Sequence, residues 1–332
     1  MKTAFVVLTY NRPDTLLKVL EGLAAQCGAQ HELIIADDGS KAEAAQAWQQ
    51  ALPRFNCPVK HVWHPDVGFT AARARNLGVA ATQADYVVFM DGDCIPNPRF
   101  VAAHQALATP GYFVNGSRVL LSESLTNQIL AHTQSVQQAR LWDWVRWRLK
   151  GDVNKLLHLL YWPSAPWRTE QHFRWKKIRS CNFGLWREDF ERVNGFDESF
   201  QGWGHEDADL VLRLHNAGLR RKNGFLATEV YHLWHKENSR HNEEANRREL
   251  ELRMNTQQVR AQLESFQLTQ GVDADLAAGV SAAFLAGLDG LTTGLLLDAT
   301  AACEADPAAR SVDEVLLAYP GFHALACYRI GH

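Results

Sequence analysis

Asp91-Gly92-Asp93 follows the apolar run Tyr86-Val87-Val88-Phe89-Met90, which sets two carboxylates, one residue apart, on the turn ending a buried strand. Both can approach one hard cation. Mn²⁺ or Mg²⁺ held by few protein oxygens keeps positions open for a diphosphate. Asp37-Asp38-Gly39-Ser40 ends another apolar run. Its acids suit a helix cap, and at a sheet edge they also accept hydrogen bonds from a nucleobase or ribose. In the stretch Gly68–Asn76 the glycine permits a tight entry and Arg75 is placed to face carboxylates or a phosphate, whereas Arg73 reads as part of an ordinary amphipathic helix.

A second cluster, Gly202-Trp203-Gly204-His205-Glu206-Asp207-Ala208-Asp209, opens a helix whose apolar face is Leu210, Leu212 and Leu214. Acids in a first turn are stabilised by the helix dipole, so each has a capping role available. The flanking glycines point to more: Trp203 held out between them is a stacking surface for a sugar face, beside a carboxylate able to take a proton from a hydroxyl. Downstream, Tyr231-His232-Leu233-Trp234-His235 sets two histidines three residues apart after a strand. An imidazole beside a carboxylate-bound cation is a ligand candidate; away from one it is structural.

These clusters need a frame. Strands are expected at Ala4–Leu8, Glu32–Ala36, Val59–Val62 and Tyr86–Met90, and helices at Pro13–Ala25, Ala42–Leu52 and Thr70–Ala81. Such alternation makes an α/β fold with a parallel sheet covered on both faces, whose ligands sit at the carboxyl ends of the strands. Thr9-Tyr10-Asn11, Asp37–Ser40, Asp66–Gly68 and Asp91–Asp93 all fall at that edge. Residues 140–179 hold six of the 11 tryptophans and ten Lys/Arg against three acids, as an interfacial helix or a packed lid would. A further α/β stretch runs from Ser180 to about His235. Asn242–Phe266 reads as a charged helix, 267–273 as a linker and 274–332 as helical.

Balanced charge (34 Lys+Arg, 37 Asp+Glu, net −3) excludes a global field for a nucleic-acid polymer. No apolar run reaches the length of a spanning helix, and the N-terminal run is too short for a signal core. Six scattered cysteines without a CxxC pair suit reduced, buried thiols. A cytoplasmic protein is expected, with peripheral contact at the inner face of the membrane as an option.

In their order, Val7–Arg12, Asp37–Ser40, Asp66–Phe69 with Arg75-Asn76, and Asp91–Asp93 resemble an inverting family 2 glycosyltransferase of the GT-A fold. Cys181-Asn182-Phe183, Asn194–Glu198 and Gly202–Asp207 resemble the acceptor half shared by chondroitin-polymerase-like enzymes and β-1,4-galactosyltransferases. The resemblance covers about residues 2–235. It implies a donor-binding half (1–110) and an acceptor-binding half (111–240), then a charged helix and linker (241–270). The partners it implies are a nucleotide-sugar donor and a glycan or lipid-linked acceptor. Thr9, Tyr10, Asn11, Asp38, Asp66, Arg75 and Asp91 would bind the donor, with Asp38 on the base or ribose. Asp93, Asp91 and His232 would hold Mn²⁺ or Mg²⁺. Asp207 would be the catalytic base, Glu206 would orient the acceptor, and Trp203, Gly204 and His205 would line its site. His205 departs from the family, where glycine is frequent. Direct displacement would invert the anomeric carbon, a reaction needing one base and one cation.

Residues 271–332, with Leu295–Asp298, Asp306–Ser311 and Tyr319–His332, resemble the helical N-terminal region of serine O-acetyltransferases, without the repeat domain that carries catalysis there. This all-α tail would pack on the transferase or pair with a second copy. The reading is a UDP-sugar-dependent transferase for bacterial surface polysaccharide. Its alternatives are a non-catalytic sugar-binding protein of the same fold, or a fragment of a transferase–acetyltransferase fusion whose tail is an assembly module.

Overall fold

The computed structural model describes residues 1–170, 172, 173, 178–236, 242–254, 274 and 278. The chain divides into two compact units, Met1–Leu250 and Glu251–His332. Both expected halves lie in the first. Nearly all of the expected acetyltransferase-like tail, and with it the expected pairing of copies, lies outside the described residues, as do Trp175 and the whole of 255–273.

The first unit begins β1 (Thr3–Thr9), α1 (Pro13–Ala24), β2 (His31–Asp37), α2 (Ala42–Gln50), β3 (Val59–Trp63), α3 (Ala71–Ala80) and β4 (Tyr86–Asp91). The alternation expected from the sequence is present with ends shifted by at most two residues. Pro13 starts α1, where its missing N–H is harmless and its fixed φ suits the helix. The chain continues through β5 (Cys94–Pro96), α4 (Phe100–Leu107), β6 (Tyr112–Asn115), β7 (Arg118–Leu120), α5 (Glu123–Leu130), α6 (Leu141–Lys150) and β8 (Thr169–Glu170). It closes with β9 (Asn182–Trp186), α7 (Arg187–Arg192), α8 (Glu206–Asn216), β10 (Arg220–Asn223) and β11 (Val230–His232).

Eight strands form one sheet in the order β3-β2-β1-β4-β9-β6-β10-β8. β9 runs antiparallel between β4 and β6, and β8 antiparallel to β10, so the sheet is mostly rather than wholly parallel. The central strands are buried on both faces. Their period-2 alternation sends Phe5, Val7, Leu33, Ile35, Val88 and Met90 into one core and Ala4, Val6, Ile34, Ala36, Val87 and Phe89 into the other. β5, β11 and β7 make a separate three-stranded sheet.

Register then sets the chemistry. Thr9 pairs with Asp37 and Leu8 with Asp91, so β1, β2 and β4 end together at one edge. His232 on β11 pairs with Cys94 on β5, which brings the second half of the chain back beside Asp93. In the 140–179 stretch Trp144 and Trp147 are packed into the core, while Trp142 stays 75% and Leu149 83% exposed. Some tryptophans therefore pack as a lid would, and others face solvent among Arg146, Arg148 and Lys150.

Candidate active site

The carboxyl edge of the sheet is assembled by side chains that bind one loop to the next. The Asn11 backbone N–H donates to Ser40 Oγ (2.8 Å), and Asn11 Oδ1 accepts from the Lys41 N–H (2.9 Å). Tyr10, still 47% exposed, donates its hydroxyl to Asp66 Oδ2 at 2.8 Å, which raises the phenol's pKa. Asp66 Oδ1 accepts from the Gly68 N–H, and that bond above all holds its own pKa down. Gly39 is in the left-handed region (φ 92°), and a Cβ there would stand 2.6 Å from Asp66 Cα. Only glycine allows these two loops to touch.

Asp38 is buried under this edge. Thr70 donates its N–H (3.0 Å) and hydroxyl (2.6 Å) to the carboxylate, and His64 Nε2 lies 3.1 Å away. Burial pushes the Asp38 pKa up, with Thr70 and His64 opposing it. Its neighbour Asp37 accepts from the Ser40 N–H and contacts His61 at 3.1 Å; there burial also pushes up, but the partners prevail and the pKa falls.

Asp91 and Asp93 diverge around Gly92, whose N–H donates to Leu8 O at 2.7 Å and whose missing Cβ would sit 2.8 Å from that oxygen. Asp93 faces two imidazoles: His232 Nε2 is 3.8 Å from Oδ1 and His235 Nε2 is 3.3 Å from Oδ2. A carboxylate and two histidines converging within that span fit a divalent transition ion such as Mn²⁺ better than Mg²⁺, which takes oxygen donors. Burial lowers the pKa of His232 against the pull of Asp93, keeping a ring nitrogen free to act as a ligand.

Asp91 points the other way. Its Oδ1 is 3.1 Å from Arg75 Nη2, and Arg75 Nη1 is 3.3 Å from Glu206 Oε1. The guanidinium is buried, stands 5.4 Å over the Phe196 ring, and joins the end of β4 to the first turn of α8. Glu206 and Asp207 open that helix side by side. Burial, then repulsion by Asp207, lifts Glu206 to a pKa of about 6; burial raises Asp207 too. Asp207 Oδ2 accepts from the Ser180 N–H at 3.4 Å, a long bond that leaves lone pairs for another proton.

Three left-handed residues lead into α8: Gly202 (φ 76°), Gly204 (φ 103°) and His205 (φ 75°). That conformation explains why glycine would suit position 205. Asn242 and Asn246 tie down the loop, donating to Gln201 O, and Asn246 also to Gly204 O at 2.9 Å. Trp203 between the glycines keeps 37% of its surface exposed.

The structure therefore brings the sequence's candidates into two groups: Thr9, Tyr10, Asn11, Asp38 and Asp66 along the sheet edge, and Arg75, Asp91, Glu206 and Asp207 in one charge network. Asp93 and His232 flank the second. His64 and Thr70 escaped notice, since a lone histidine and a helix-preceding threonine carry no signal. His235 was visible by its spacing to His232. The anchoring asparagines lay in a stretch read only as a charged helix.

Comparison with known proteins divides the chain differently, with Arg75 and Asp91 in the first matched span and Glu206 and Asp207 in the second. The model for glycosyl transferase family 2 matches residues 4–165, and that for the N-terminal domain of galactosyltransferase matches residues 167–236. Chondroitin synthase of Escherichia coli is 28% identical over 240 residues, 65% of this chain and 32% of the relative. Validoxylamine A glucosyltransferase of Streptomyces hygroscopicus is 29% identical over 228 residues, 64% of this chain and 51% of the relative. Hyaluronan synthase of Pasteurella multocida is 25% identical over 235 residues, 65% of this chain and 23% of the relative. The chain thus spans between 23% and 51% of the length of these relatives.

Proposed function

With residues 4–165 as a family 2 glycosyltransferase domain, we propose that this chain is a metal-dependent inverting hexosyltransferase. It moves a sugar from a UDP donor to a glycan or lipid-linked acceptor, in the making of a bacterial surface polysaccharide. The observation that carries this reading is the buried Arg75, which joins the Asp91 turn to the Glu206-Asp207 pair. A nucleotide site and a proton acceptor are thereby held on one rigid bridge. The polysaccharide synthases among the relatives support the substrate class.

Asp93, His232 and His235 would hold the divalent cation, which when bound neutralises charge on the diphosphate leaving group. Thr9, Tyr10 and Asp66 present polar groups at the edge where the nucleotide lies, and Asp38 stiffens that edge from beneath through Thr70. Trp203 offers its face to the acceptor ring. Asp207 takes the proton of the attacking hydroxyl as the new C–O bond forms and the bond to the leaving oxygen breaks. Its raised pKa brings it toward the operating pH, where a base is most effective. Glu206, fixed by Arg75 at 3.3 Å, orients a second acceptor hydroxyl.

The test is a panel of UDP-sugars assayed for Mn²⁺-dependent hydrolysis and transfer. Asp207→Asn is nearly isosteric but cannot accept a proton, so kcat should fall by about 10²–10⁴-fold with donor binding little changed. If Glu206→Gln damages kcat more, the two roles are exchanged. A chain that binds UDP-sugars and turns none over is the sugar-binding alternative.

A further inference from the structure

The centre at Asp93 holds one donor that a hard cation does not use. Cys94 opens β5 fully buried, and its thiol donates to Asp93 Oδ1 at 3.4 Å. The antiparallel register of β5 and β11 sets it opposite His232. The donor atoms of Asp93, Cys94 and His232 all lie within 4.8 Å of one another. His235 Nε2 approaches the other Asp93 oxygen at 3.3 Å. Oxygen, sulfur and one nitrogen therefore converge, with a second imidazole waiting on the far oxygen of Asp93. Mn²⁺ and Mg²⁺ have little affinity for sulfur, whereas Zn²⁺, Co²⁺ and Cd²⁺ favour such a mixed set.

Building on the reading of Asp93 and the histidines as a metal centre, we propose that Cys94 is a fourth ligand, engaged only by thiophilic divalent cations. Binding forms a metal–sulfur bond and breaks the S–H bond; the proton passes to Asp93 Oδ1, its present acceptor, and on to solvent. One proton is released per ion and nothing is oxidised. Asp93, Cys94 and His232 supply three donors, and His235, drawn in from the far oxygen of Asp93, completes a tetrahedral shell that leaves no position for a diphosphate oxygen. A thiophilic ion accordingly holds the centre closed where Mn²⁺ leaves it open.

Co²⁺ is the probe, titrated into the full chain after removal of bound metal. The wild type should show tetrahedral d–d bands together with a thiolate-to-cobalt charge-transfer band in the near ultraviolet. Cys94→Ser and Cys94→Ala, checked for folding by circular dichroism, should keep d–d bands and lose the charge-transfer band. Cys181→Ser, at a second buried cysteine of the same core, should keep both. In competition with a chromophoric chelator, Cys94→Ser should weaken Zn²⁺ by more than about tenfold while Mn²⁺ affinity stays unchanged. d–d bands without a thiolate band in the wild type, or a band lost in Cys181→Ser and kept in Cys94→Ser, overturn the proposal and leave the metal centre standing. A chain that binds no Co²⁺ at all overturns both.

Discussion

Replacing Arg75 by Met keeps much of the volume of the buried side chain and removes a cation that Asp91 and Glu206 share. Breaking a buried pair from one side costs about 3–5 kcal/mol, because the remaining charge is left without its partner. Here that cost depends on pH. Glu206 has a folded pKa of about 6 against 4.5 for the free side chain, so its folded form holds the proton more tightly. The wild-type contribution is complete below the unfolded pKa and is lost as pH rises through the folded one, about 2 kcal/mol in all. Without Arg75 the folded pKa of Glu206 rises further, and Asp207 shifts with it. The deficit of Arg75→Met should therefore approach the full 3–5 kcal/mol near pH 8. Near pH 4.5 it should shrink to about 1–2 kcal/mol, the loss of the hydrogen bonds themselves. Urea unfolding of the full chain, followed through the buried Trp48, Trp144 and Trp147, reads this as a gap between midpoints that widens with pH. The double change Arg75→Met with Glu206→Gln should recover a large share at pH 8. A gap independent of pH, or wider in acid, would refute the reasoning.

Asp93→Asn should abolish Mn²⁺-dependent turnover, since several kcal/mol of transition-state stabilisation depend on that ligand. Its side chain is 22% exposed, so the thermal midpoint should barely move, and calorimetry should show Mn²⁺ binding lost. Gly39→Ala combines a left-handed φ with a Cβ 2.6 Å from the Asp66 backbone, and should destabilise by about 2–4 kcal/mol in denaturant titration. Trp142 and Leu149 stand exposed among Arg146, Arg148 and Lys150, as on an interfacial helix. Flotation with anionic liposomes should recover the protein at low salt and lose it for Trp142→Ser with Leu149→Ser; no flotation of the wild type leaves only the lid.

The strands and helices up to Met90 were legible because each is a local pattern. Buried parallel strands are continuous apolar runs, and α1 places Leu16, Leu20 and Leu23 on one face behind Pro13. The acid pairs Asp91-Gly92-Asp93 and Glu206-Asp207 stood out by residue type and by the glycines around them. What a sequence does not carry is which distant segments share a charge. Arg75 could have served a phosphate; only the packing of α3 against the opening of α8 makes it the bridge between Asp91 and Glu206, 16 and 131 positions away from it. The antiparallel insertion of β9 and the separate β5-β11-β7 sheet were likewise invisible, since strand order depends on contacts across the whole chain. That second sheet decides the candidate metal centre: strand register, a property of pairing and not of either strand, sets His232 opposite Cys94 and so beside Asp93. Periodicity and residue type act over a few residues and can be read off directly, whereas burial and ion pairing are properties of the folded core.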